Sequence, residues 1–90
     1  MRKLEERMVE AVNFGIPFHG SNTTVTIDFN TAHVFLFGKH IASVVNGGTP
    51  IVNLDTLRAY PTATTKSRLR ALGVDVTTKK GITYLNGEEV

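Results

Sequence analysis

Cysteine is absent from this 90-residue chain. That excludes a disulfide framework and a thiolate metal site, and it fits a reducing compartment. No stretch approaches the ~20 consecutive apolar residues of a membrane-spanning helix. Arg2 and Lys3 are followed by no apolar run, so the N-terminus does not read as a signal peptide. The usual catalytic signatures are missing as well. Ser21, Ser43 and Ser67 sit in no Gly-x-Ser-x-Gly elbow, and Gly47-Gly48 is followed by no P-loop lysine. Asp28, Asp55 and Asp75 are scattered, with nothing to pair two of them as acid and base. These absences read as a non-catalytic protein without a cofactor.

What is present is the composition of one small globular domain, with 41% apolar and 20% charged residues. A net charge of +2 hides an asymmetry. Thr56 to Gly81 carries Arg58, Lys66, Arg68, Arg70, Lys79 and Lys80 against Asp75 alone, whereas residues 1–55 are slightly acidic. A basic C-terminal half attracts an anionic partner.

The hydrophobic pattern predicts an α+β fold. Leu4, Met8, Ala11 and Val12 form one apolar stripe of a helix over residues 2–13, stopped by Gly15 and Pro17. Residues 18–21 read as a connector. Val25, Ile27 and Phe29 alternate with Thr24, Thr26 and Asp28 in a half-buried strand. The apolar run Val34 to Phe37 reads as a central strand covered on both faces, joined through a Gly38-Lys39 turn to His40–Val45. Pro50 to Leu54 makes a short fourth strand. Asp55 to Ala63 reads as irregular. A second helix follows at about Thr65–Leu72, stopped by Gly73. Val74–Thr78 and Ile82–Leu85 form a terminal hairpin, and residues 88–90 a frayed tail. The expected architecture is an N-terminal helix, a four-stranded, mostly antiparallel sheet, a short second helix and a C-terminal β-hairpin.

The start of the second helix is the most informative segment. A helix N-terminus favours anions, yet Lys66 and Arg68 stand in its first turns beside the hydroxyls of Thr64, Thr65 and Ser67. The free backbone N–H groups, the hydroxyls and the two cations together match one phosphate. Tyr60, with Tyr84 as a further candidate, would stack a base beside it. Arg70, Arg58, Lys79 and Lys80 would surround the site. On this reading Lys66→Glu with Arg68→Glu abolishes binding and leaves the fold intact. The plainer alternative is a capped helix with exposed cations. His33 and His40 flank the expected hairpin and, with Asp28, bring metal binding to mind, but no third ligand is evident and His19 is remote in sequence. No metal site is expected.

Four segments resemble a group of small accessory proteins of tailed bacteriophages. They are Asn22-Thr23-Thr24-Val25; the strand–Gly–strand run Val34 to Ala42; the T-x-T-T-K-x-R-L helix start Thr62 to Leu69; and Tyr84-Leu85-Asn86-Gly87. The chain departs from that group at Phe37, where its members often have His, and near Tyr60, where they usually have Trp. Residues 1–20 look like an addition to a core over residues 22–87. The resemblance implies a phage protein working in the cytoplasm of the infected bacterium, and it supplies no mechanism. Together the residues and the resemblance point to a binding protein whose favoured ligand is nucleic acid or another phosphate-bearing partner. The alternatives are a module that binds or inhibits a host protein, and a minor structural protein that self-associates through a sheet edge or the N-terminal helix.

Overall fold

The computed structural model describes residues 2–90. Helix α1 (Lys3–Phe14) precedes a five-stranded antiparallel meander of β1 (Phe18–Gly20), β2 (Thr23–Asp28), β3 (Thr31–Leu36), β4 (Lys39–Val45) and β5 (Ile51–Val52), in that spatial order. Two short helices follow, α2 (Leu54–Ala59) and α3 (Ala63–Ala71). A three-stranded sheet of β6 (Val76–Lys79), β7 (Ile82–Leu85) and β8 (Glu88–Glu89) closes the chain. The expected α+β class and the N-terminal helix are present; the main sheet has five strands where four were expected.

The extra strand is β1, in the segment read as a connector. Three residues show too little alternation to be recognised, but Phe18 pairs with Val25 and tucks against the core. The expected tail is also ordered, because β8 pairs with β7 and Val90 donates its N–H to Thr83 O.

The core lies on one side of the main sheet. Val25 on β2, Ala32, Val34 and Leu36 on β3, and Ile41, Ala42 and Val44 on β4 pack against Met8, Ala11 and Val12 of α1. Leu57 of α2, Leu69 of α3 and Val76 of β6 complete the cluster. The apolar stripe of α1 is spent in the core, so the N-terminal helix packs as part of the same domain as residues 22–87. The opposite sheet face carries Thr24, Thr26, His33, Phe35, His40 and Ser43, none of them fully buried. The expectation that β3 is covered on both faces is corrected by this half-exposure of His33 and Phe35.

The β3–β4 turn uses Phe37-Gly38, not Gly38-Lys39. Leu36 pairs with Lys39, and both turn residues take positive φ, 52° and 76°. Glycine meets that geometry freely, whereas phenylalanine adopts it at a cost. The ladder also slips between Val34 and Phe35, so Ile41 is an extra residue and both Ile41 and Ala42 turn inward. This bulge puts His40 and Ser43, three apart in sequence, on the same open face.

Candidate ligand groove and the residues around it

Thr62, rather than Thr64 or Thr65, caps α3, with its Oγ1 accepting from Thr65 N–H at 3.2 Å. The face of α3 turned inward carries Thr65, Lys66, Arg68 and Leu69. Arg68 is 2% exposed. Its Nη1 donates to Glu5 Oε2 at 2.8 Å, its Nε to Thr23 Oγ1 at 3.0 Å and its Nη2 to Asn22 Oδ1 at 3.2 Å. Ser67 Oγ donates to the same Glu5 oxygen at 2.6 Å. Lys66 is buried too and donates its Nζ to Thr78 Oγ1. The reading of Lys66, Ser67 and Arg68 as a phosphate cradle is thus corrected. The anion that Ser67 and Arg68 meet is the protein's own Glu5, while Lys66 meets the Thr78 hydroxyl; both cations satisfy partners inside the fold.

Burial pushes the Glu5 carboxyl up. The hydrogen bonds from Ser67 and Arg68, with the charge of Arg68, outweigh that and hold it below the usual carboxylate range. No buried side-chain polar atom among the described residues lacks a hydrogen-bond partner.

The other expected site residues divide into two groups. Tyr60, Thr64 and Thr65 come together on one groove of about 210 Å³, whose lining also includes Leu36, Ile41, Phe37 and Lys39. Its floor is apolar. Phe37 is 68% exposed and Tyr60 47% exposed, with Lys39 Nζ 4.6 Å from the Tyr60 ring centroid. Phe37 and Lys39 escaped the sequence reading; the signal that could have found them is a bulky aromatic at a hairpin turn, where Asn or Gly is normal.

Arg58 and the β6–β7 turn lie across the α2–α3 connection from that groove, around a second depression lined by Arg58, Pro61, Gly81 and Ile82. Lys79 and Lys80, next to Gly81, are exposed. Arg70 is exposed but spends its Nε on Val76 O at 2.8 Å, tying α3 to β6. Tyr84 sits within the small sheet, opposite Thr77 and Glu89, and does not line the groove.

The histidines of the open face form a directional chain. Asn53 caps α2, its Oδ1 accepting from Thr56 N–H at 3.2 Å. That fixes its Nδ2 toward His40 Nδ1, 3.1 Å away. His40 Nδ1 must then be the unprotonated nitrogen, so Nε2 donates to Ser43 Oγ at 2.7 Å. Ser43 in turn donates to His33 Nδ1 at 2.8 Å. A metal at His40 Nε2 would need this order reversed. Asp28 lies elsewhere on the sheet, opposite Thr31, and His19 bonds Thr24 at 2.9 Å. No group of three His, Cys, Asp or Glu side chains among the described residues is placed to hold a metal. Burial, and then the neighbouring His33, push the His40 pKa down, against a smaller opposing effect of a backbone hydrogen bond at Ala42.

A family model described as Kyanoviridae Gp96 protein matches residues 1–90. The chain belongs to that family. It is accordingly a tailed-phage protein, as its resemblances imply. The match includes α1, in agreement with the place of that helix in the core. No curated protein and no solved structure matches the chain. No helix among the described residues is long and apolar enough to cross a membrane.

Proposed function

We propose that this family member acts by binding, inside the infected host, and that its ligand is single-stranded nucleic acid taken at the Tyr60 groove. The observation that carries the reading is the groove itself, an apolar floor between two exposed aromatic rings with the Lys39 ammonium at the rim. A base would enter against Tyr60 and Phe37, where stacking is worth about 1–3 kcal/mol per base and tolerates any sequence. The backbone would run past Lys39 toward Arg58, Lys79 and Lys80. Four such contacts on a single strand give a salt slope of about −3, or roughly a fifty-fold loss between 0.05 and 0.2 M salt.

Fluorescence anisotropy with a labelled oligothymidylate tests this. Micromolar binding is expected at low salt, weakened at least about tenfold by Tyr60→Ala or by Lys39→Glu. Absence of binding at low salt, or binding indifferent to both substitutions, overturns the reading.

A second reading, a protein-binding module, is favoured by the opposite end of the sheet. Phe29 is 95% exposed at φ 55°, and Phe14 and Ile16 are exposed as well. Phe14 and Phe29 line one shallow depression. The surfaces expected for such a module are less suitable: the stripe of α1 is buried, and the edge strands β1 and β5 span only three and two residues. Sedimentation of the wild type and of Phe14→Ser/Phe29→Ser separates self-association at this end from a monomer.

A further inference from the structure

We propose that His40 and Asn53 form a proton-sensitive latch: a proton taken up by His40 turns the Asn53 amide, uncaps α2 and loosens the hold on Tyr60. The latch follows from the hydrogen-bond polarity on the open face. His40 Nδ1 accepts from Asn53 Nδ2, and a proton can be added only at that nitrogen, because Nε2 already carries one. The new N–H would face an N–H donor. Rotating the Asn53 oxygen toward His40 relieves the clash, and that oxygen is the one accepting from Thr56 N–H.

Helix α2 is short enough for the loss to reach its far end. It has six residues. Thr56 receives the cap through its N–H and accepts Tyr60 N–H through its carbonyl, at 2.8 Å. One residue, Thr56, therefore links the latch to the residue whose ring lines the groove. Asn53 is otherwise held by its own N–H to Ile41 O at 2.8 Å, so the side chain can turn while its backbone stays docked on β4.

The surroundings make His40, and not His33, the sensor. His33 lies on β3 with its ring centroid 5.7 Å from that of His40. A proton on His33 Nδ1 would find the Ser43 hydroxyl, which accepts as readily as it donates, so that contact survives with its polarity reversed. Once charged, it opposes a second charge on His40. On β2 this face offers Thr24, Thr26 and Asp28, and on β1 His19. Asp28, opposite Thr31, is two pairs from His33 along the β2–β3 ladder. From β4 itself comes Lys39, which lies over Tyr60, and from α2 comes the exposed Asp55. Lowering the pH throws the latch when His40 takes up its proton.

The test is an NMR titration of the full chain from pH 7.5 to 4.5, reading imidazole ¹⁵N shifts and amide protection factors. At neutral pH His40 is expected as the Nε2–H tautomer. As it titrates, Thr56 and Tyr60 amides should lose at least about tenfold in protection. Asn53→Asp is the decisive variant. Its carboxylate can accept from Thr56 N–H and from a protonated His40 at once, so the protection should persist and His40 should titrate at higher pH. An Nδ1–H tautomer, or equal loss of protection in the wild type and Asn53→Asp, overturns the latch. This readout needs no ligand, so it stands apart from the groove reading. Only the added expectation, that oligothymidylate binding falls with His40 protonation in the wild type and not in Asn53→Asp, rests on it.

Discussion

A single carboxylate decides what the cations of α3 do. Glu5 accepts from both Ser67 and Arg68, and without it neither donor keeps that bond. Removing one partner of a buried ion pair costs about 3–5 kcal/mol, a large part of the ~5–15 kcal/mol that holds a small domain together. Arg68→Ala is therefore expected to lower the urea midpoint severely, and Lys66→Glu with Arg68→Glu to unfold the protein rather than spare it. Replacing the pair with apolar residues, Glu5→Leu with Arg68→Met, should be milder than Arg68→Ala alone, because no charge is left stranded. The pH dependence has a definite sign. Glu5 titrates lower in the folded chain than its ordinary value of 4.5, so its contribution is complete above that value and is lost as the pH falls through the folded one. Thermal melts should show an acid limb that is flatter in Glu5→Gln. None of this was legible locally. An inward Arg68 and an outward one give the same spacing, and the residue that settles the matter is 63 positions away.

Among the elements, α2 shows what a sequence can hide and why. Leu54 and Leu57 are only three apart, too short a span to establish a helical period, so the segment reads as irregular. The punctuation was nevertheless there: Asn53 as the cap, Asp55 in the first turn, Arg58 in the last and Pro61 beyond the end. Leu57, the one buried residue of α2, fixes the helix to the core. Leu57→Ala should cost about 2–5 kcal/mol, and Thr62→Ala at the start of α3 about 1 kcal/mol, both measured by chemical denaturation. The longer periodic elements were readable for the opposite reason. In α1 and β2 several residues repeat at 3.6 or 2.0, and α1 and β2 run within one residue of their expected ends. The β3–β4 bulge had no signature in the chain, and without it His40 and Ser43 would not share a face.

The whole molecule is a sheet with one dressed side. Helices α1, α2 and α3 and the small sheet share its inner face, and a domain of this size buries only about 60–65% of its unfolded surface. Such a core has little to spare. Deleting residues 2–16 removes Met8, Ala11, Val12 and Glu5 together, and the product is expected to lack the near-ultraviolet circular dichroism of the intact protein. The class of fold and most of its elements were legible because alternation and turn residues are local. The groove was not, since Leu36, Phe37, Lys39, Tyr60 and Thr64 meet only once α2 has folded back against β4.

The pairing of Glu5 with Arg68 also orders events in time. A ribosome delivers the first helix long before the third, so during synthesis Met8, Ala11 and Val12 have no complete surface to cover them and Glu5 has no counter-ion. The sheet hairpins are local and form as they emerge; the docking of α1 waits for nearly the entire chain. A released fragment ending at residue 60 should accordingly be open to protease throughout α1, and one ending after residue 79 should be the first to resist.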